Sequence, residues 1–466
     1  MGTHAPAAFL EKHQKRDIAY NGPMRSGLVI DSRSLLLKGY EPYQSELLQV
    51  LNPAGSGEWY APHMQNRSNK MQIDADTRRG RTIIPGYFIG RTLAGEALGT
   101  ILKNQNLART VEDPDGRAVF HLDAIDIRLY DMGYGSVTFT GQIEGHKDLD
   151  VDAYRDAAEK ISSELSRYRP VFLGTFEHVA RTVKPEFVSL NFHGNLPSSD
   201  YWRNSNLGQS VGDLFWVHRV FLIECASHQQ FTRKRELCKK LVYSEAEEVL
   251  EDSSINPQHL SVYPGNGNSV VVYEKNAARP QEISTLHSMV RAQNIFYVTA
   301  EDIDRDMFYL SNQLDRSKHS TDMKLLEAQS EIIIDYQSKV TFFKGVYDDY
   351  DNSLDPQGLK IWHALEKAWC TRDRFNNMDA KLELVEKIYN RIRENMNHLQ
   401  SKRIGVFMLA FTLISTLSVM VDTIDFTTQG DSLPPPSTLR IGVLLSMLVV
   451  IIFLAVGLMK SGKRKI

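Results

Sequence analysis

Three sets of residues in this 466-residue chain have types and spacings that could do chemistry. Thr412, Ser415, Thr416, Val419, Asp422 and Thr423 fall on one broad face of a helix, with Asp425 just beyond. Hydroxyls running toward carboxylates suit a path for cations through a membrane. The same pattern also serves as hydrogen-bonding glue between helices. Asp348, Asp349, Asp351 and Asp355 form a second set, hard oxygen ligands suited to Mg2+ or another divalent cation. Glu301, Asp302, Asp304 and Asp306 make a further acidic run. Solvated helix ends explain such runs equally well. The third set, Arg67, Lys70, Arg78, Arg79 and Arg81 around RRGR, offers guanidinium forks and a glycine backbone to a phosphate or nucleotide. Its plainer alternative is a solvated loop that also holds Asp74 and Asp76.

No catalytic constellation accompanies these sets, so no catalytic residue is assigned and an enzyme is not expected. There is no HExxH, no GxSxG and no Cys/His cluster of zinc spacing. The stretch from Gly457 to Arg464 nearly spells a phosphate loop, but Arg464 stands where Ser or Thr is required. The acidic turn at 349–358 puts Leu354 where a calcium loop needs Gly. The net charge of −3 gives no global attraction to nucleic acid, and direct nucleic-acid binding is not expected. Cys225, Cys238 and Cys370 are scattered and odd in number, as suits a reducing compartment. The N-terminal stretch lacks the apolar core of a signal peptide, and Pro6 breaks the myristoylation pattern.

The elements that must position the first set lie at the C-terminal end. Phe375, Met378, Leu382, Val385, Tyr389, Ile392, Met396 and Leu399 alternate spacings of three and four, the seam of a helix packing on a partner. From Leu359 onward no Pro or Gly interrupts this helix before the apolar run at 404–421, giving about 45 residues or nearly 70 Å. A second apolar run follows at 441–459, and each run suits a hydrocarbon core of roughly 30 Å. Lys402 and Arg403 precede the first run, and Lys460, Lys463, Arg464 and Lys465 follow the second. The connecting loop holds Asp422, Asp425 and Asp431 against Arg440 alone. A hairpin with both termini in the cytoplasm follows from the positive-inside rule.

The preceding 281 residues predict an α+β domain. Residues 28–31 and 82–90 are strand-like, and 124–143 alternates around a glycine turn as a hairpin. Residues 151–168 repeat apolar positions at helical spacing; 215–225 reads as a buried strand and 260–275 as a second hairpin. The order predicts a mixed or antiparallel sheet. The basic stretch 232–241 reads as a solvated helix face. Beyond Glu282 the chain is almost entirely helical, broken at Pro356 and Gly358, with Trp362, Leu365 and Trp369 as a packing stripe.

This organisation, an α+β cytoplasmic domain, a helical layer, one long stalk helix and a two-helix C-terminal transmembrane hairpin with a basic tail, resembles the CorA superfamily. The resemblance implies a divalent-cation channel or transporter, usually a homopentamer, whose first span lines the pore. The family's Gly-Met-Asn signature falls here on Thr423, Ile424 and Asp425, followed by Phe426; all three signature residues are replaced. Asp425 would set a full negative charge where the family has an amide.

The expected organisation is therefore a domain at 1–281, divisible into 1–115 and 116–281, helices at 282–403, a hairpin at 404–459 and a tail at 460–466. The expected protein is a homo-oligomeric, pentameric cation channel of the inner (plasma) membrane, gated by its cytoplasmic domain, with Mg2+ or another divalent ion as its candidate ligand. One alternative is a CorA-like effector of a type III CRISPR system, opened by a nucleotide messenger. Another is a non-conducting membrane scaffold.

Overall fold

The computed structural model describes residues 8–30, 40–52, 58–61, 89–130, 132–183, 188–189, 212–242, 252–254, 257–275, 280–317 and 354–427. It also describes isolated helical positions between 333 and 352, and at 442, 445 and 449. Two compact units result, one of residues 1–308 with 334–382, the other of 309–333 with 383–466.

Among the described residues, the first unit is built on a ten-stranded mixed sheet. Its strands are β1 (Lys15–Ile30), β2 (Trp59–Tyr60), β3 (Ile89–Ala94), β4 (Thr110–Glu112), β5 (Ala118–Leu129), β6 (Met132–Gly145), β7 (Val188–Ser189), β8 (His218–Cys225), β9 (Leu260–Tyr263) and β10 (Asn268–Glu274). The main order is β2-β3-β5-β6-β1-β8-β10-β9, with β4 beside β5 and β7 beside β1. Only the β8–β10 pairing is parallel among these ladders. Both expected hairpins form, as β5–β6 and β9–β10.

Strand β1 is the largest departure from the sequence pattern, which marks only its last residues. Asn21, Gly22 and Pro23 look like a turn, yet they lie inside the central strand of the sheet. Proline is tolerated because the β8 ladder stops at Asn21 opposite His218. The Pro23 carbonyl faces that side and accepts from the Phe215 N–H at 3.0 Å, so the missing N–H leaves no ladder partner unpaired. A second local requirement is Gly141, where any Cβ would lie 2.0 Å from the His121 carbonyl oxygen, beside a register shift at 122–124.

The helices of this unit are α1 (Tyr40–Leu51), α2 (Gly95–Asn104), α3 (Val151–Glu164), α4 (Arg169–Thr182), α5 (His228–Val242), α6 (Pro280–Ser317) and α7 (Pro356–Trp369). Helix α6 crosses from the first unit into the second. Strand alternation makes the two sheet faces different. Ile125, Ile127, Val137, Phe139, Ile18 and Tyr20 join the apolar core with Tyr154, Ile161, Phe172 and Phe231 of the helices. Asp126, Arg128, Ser136, Thr138 and Asn21 occupy the alternate positions. That second face is polar, and it is buried: Ser136, Thr138 and Asn21 are among the least exposed residues.

The expected uninterrupted helix from Leu359 is two helices. Cys370 adopts the left-handed conformation, φ 52° and ψ 35°, and ends α7 with its N–H on the Glu366 carbonyl. Tertiary anchoring explains the break, since Trp369 donates its indole N–H to the Gly265 carbonyl at 2.9 Å. Helix α8 (Thr371–Thr427) then runs 57 residues. Phe375, Met378, Val385, Ile392 and Met396 of its heptad seam are buried within the single chain. The partner that the spacing calls for is therefore found inside the molecule for these positions.

Candidate functional site: a polar sheet face and a long apolar helix

Helix α6 meets the polar face through hydrogen-bonding side chains, beside apolar contacts such as Ile295 against Tyr130. Arg291 donates to Asp126 at 3.0 Å and to Thr138 at 3.4 Å. Asp126 also accepts from Arg128 and Thr92, each at 3.0 Å, and from the Tyr60 hydroxyl. Burial alone would raise the Asp126 pKa, but the Arg128 and Arg291 charges outweigh it and hold the carboxyl below its ordinary value. Trp216 donates to Asn294 at 2.8 Å, and the Tyr134 hydroxyl to Asp302 at 2.7 Å. Two guanidinium groups converging on one buried carboxylate, with the directional bonds around them, favour one placement of α6 on the sheet.

The same helix grips the start of α8. Gln293 hydrogen-bonds the Thr371 hydroxyl, Arg374 bonds the Tyr297 hydroxyl, and Lys381 pairs with Asp304. Phe375 packs with Tyr347 at a centroid distance of 4.7 Å and with Phe296 at 6.3 Å. Sheet, α6 and the first turns of α8 are thus one connected body of polar and aromatic contacts.

Past the seam, α8 carries the apolar run. It is the one helix among the described residues long and apolar enough to cross a membrane. Phe407 and Phe411 are 76% and 73% exposed, a surface that suits lipid and not water. One line of this helix is covered nonetheless: Leu417 is 8% exposed, and Val406, Ala410, Leu413 and Val421 are partly buried. These positions share a face by their spacings of four, three, four and four. Thr412, Ser415, Thr416, Val419 and Asp422 are all exposed. At about 100° per residue, their mean direction lies about 180° from the covered line. The Thr412 hydroxyl donates to the Met408 carbonyl at 2.8 Å and that of Thr416 to the Thr412 carbonyl at 2.7 Å. These donors are satisfied by their own helix, leaving the oxygen lone pairs outward.

The other sequence-derived sites divide in their placement. Arg67, Lys70, Arg78, Arg79 and Arg81 lie outside the described residues, as does Asp349. Thr423 and Asp425 are helical positions of α8. Asp348 is exposed, while Asp351 pairs with Arg372 at 2.8 Å and His363 at 3.3 Å. Asp355 caps α7 by accepting from the Gly358 N–H at 2.6 Å. Among the described residues the acidic turn gathers no metal-ligand group; one such group does occur, His228, His259 and Glu274, far from both acidic runs in sequence. Neither that triad nor the Asp126–Arg291 pair has a sequence motif. The alternation of Asp126 and Arg128 within an apolar strand was the available signal, and it reads equally as a solvated face.

In comparisons with known proteins, no family model and no curated protein matches the chain. Among solved structures, the full-length CmaX protein aligns over 55% of this chain and 92% of its own, at 11% identity and a TM-score of 0.25. A likeness at that level carries no statement about fold or function.

Proposed function

We propose that this chain is one subunit of a homo-oligomeric, CorA-like membrane channel for cations, pentameric and gated by its cytoplasmic domain. The observation that carries the proposal is the opposition of two faces on α8. One face is covered within the chain, and the polar face opposite it is not. The Asp422 carboxylate that ends this row, with the outward lone pairs of the hydroxyls before it, calls for water or other copies of the helix beside it in a membrane. A single chain cannot enclose a pore, so symmetric copies supply the remaining walls. The second apolar run returns the chain as a hairpin, with both termini in the cytoplasm and the acidic loop outside.

Gating follows from the rigid fastening of the first turns of α8 to the sheet through α6. A ligand that shifts the α/β domain would move the start of the helix whose far end lines the pore. Mg2+ or another divalent ion is the candidate ligand, at Asp348, Asp349, Asp351 and Asp355. An ion there would have to displace Arg372 and His363 from Asp351.

The test is ion flux through liposomes holding the purified protein, together with its native mass. Cation flux from a symmetric oligomer is expected, reduced several-fold when Ser415 and Thr416 become Ala and Val. A folded oligomer without flux would make the protein a scaffold and overturn the proposal.

A further inference from the structure

The His228, His259 and Glu274 side chains come from three elements that the sheet brings to one edge. His228 is the first residue of α5, just after β8; His259 immediately precedes β9; Glu274 is the last residue of β10. Backbone hydrogen bonds fix this corner, with the Glu274 N–H on the His259 carbonyl and the Lys275 N–H on the Cys225 carbonyl, both at 3.0 Å. Below it, Phe231 stacks on the His228 ring with centroids 6.0 Å apart.

The two imidazoles aim the same atom at the same carboxylate. His228 Nδ1 lies 2.6 Å from Glu274 Oε1, and His259 Nδ1 lies 3.2 Å from Oε2. His259 Nδ1 is buried without a well-angled hydrogen bond of its own. All three ligand atoms lie within 4.8 Å of one another. Two ligands at about 2.0–2.1 Å on a tetrahedral ion stand roughly 3.3 Å apart, so small side-chain rotations suffice to admit one. Each carboxylate oxygen faces one imidazole, and the solvent side stays open for water.

We propose that His228, His259 and Glu274 form a binding site for a divalent transition-metal ion of the zinc type. Two imidazoles and one carboxylate select Zn2+ or Co2+ over Mg2+, which prefers oxygen alone. The ion would tie the start of α5 to the sheet edge, independently of the pore. Glu274 is already held below its ordinary pKa, first by the His228 hydrogen bond, so its carboxylate is ionised at neutral pH.

Full-length protein in detergent, stripped with chelator, provides the test, with Cys370 replaced by Ser because that thiol is exposed. Titration with Co2+ should give visible d–d bands that saturate at one ion per chain, and Zn2+ in excess should bleach them. His228→Asn and His259→Asn should each weaken binding at least tenfold, and Glu274→Gln should do the same. Both histidines are substantially exposed, so the variants should keep the metal-free melting temperature, which is measured alongside. Zn2+ should raise the melting temperature of the parent and not of the variants. No bands at 1 mM Co2+, equal binding by the variants, or displacement by Mg2+ as effective as by Zn2+ would each overturn the assignment. None of these outcomes depends on whether the protein conducts ions.

Discussion

The Arg374 guanidinium lies over the Tyr297 ring, 4.2 Å from its centroid, and fastens the first turn of α8 to the helix that covers the sheet. A partly desolvated contact of this kind contributes about 1–2 kcal/mol. Arg374→Ala should therefore lower stability by about that amount in a chemical melt, and Arg374→Lys by less. If the contact also transmits gating, Arg374→Ala should change the ligand dependence of flux while leaving the conductance of the open pore unchanged. Identical melts and identical gating would leave this pair without a role.

Asp126 is the carboxylate on which Arg291, Arg128, Thr92 and Tyr60 converge. Removing it strands buried positive charge, which costs about 3–5 kcal/mol. Asp126→Asn should show that loss in urea titration. The double variant with Arg291→Met should recover part of it, because the uncompensated charge goes too. A double variant no better than the single one would mean that the pair is not what matters at this position.

Ile392 lies in the heptad seam of α8 and is buried within one chain. Ile392→Asp places an unpaired carboxylate there, at a cost of several kcal/mol. The expected outcome is a lower melting temperature of the protomer itself, whatever its oligomeric state. An unchanged melt with a lost oligomer would instead make the seam a contact between copies.

His218 links stability to pH. It is fully buried, 5.3 Å from the Trp369 ring, with Nε2 2.9 Å from Ser269 Oγ. Burial, then the Arg219 and His287 charges, push its pKa down from 6.5 to about 3. The unfolded chain then binds more protons than the folded one between those values. Stability is complete above the unfolded value and falls as pH drops from about 6.5 toward 3, at up to about 1.4 kcal/mol per pH unit for this group. Comparing thermal melts between pH 7 and pH 5, His218→Gln should show a shallower slope than the parent. Parallel slopes would show that other groups carry the acid sensitivity.

Asp422 and Asp425 are proposed to form the outer mouth of the pore. Symmetric copies would place about ten carboxylates around one opening, concentrating cations and repelling anions. Asp425→Asn and Asp422→Asn should each reduce cation-over-anion selectivity at low salt, and less at high salt where screening acts. Reversal potentials in a salt gradient measure this. If neither change shifts the reversal potential, alone or combined, the mouth lies elsewhere.

Local pattern was enough to announce β5, β6, β8, β9 and β10, because period-two alternation and glycine turns act over a few residues. It was also enough to mark a helix long and apolar enough to cross a membrane, since length and composition are read directly from the chain. The face of α8 that bears Thr412, Ser415 and Thr416 was legible as a stripe for the same reason. What lies opposite was not: burial of Leu417 depends on a neighbour that spacing does not name. Strand β1 hid behind Asn21-Gly22-Pro23, whose turn chemistry is overruled by where the β8 ladder ends. The break at Cys370 follows from a long-range bond between Trp369 and Gly265, against the local preference of an uninterrupted helix. Asp126 with Arg291, and His228 with His259 and Glu274, are separated widely along the chain. Their chemistry exists only because the sheet order and the covering helices bring them within hydrogen-bonding distance, and hydrogen bonds between distant residues leave no period in a sequence.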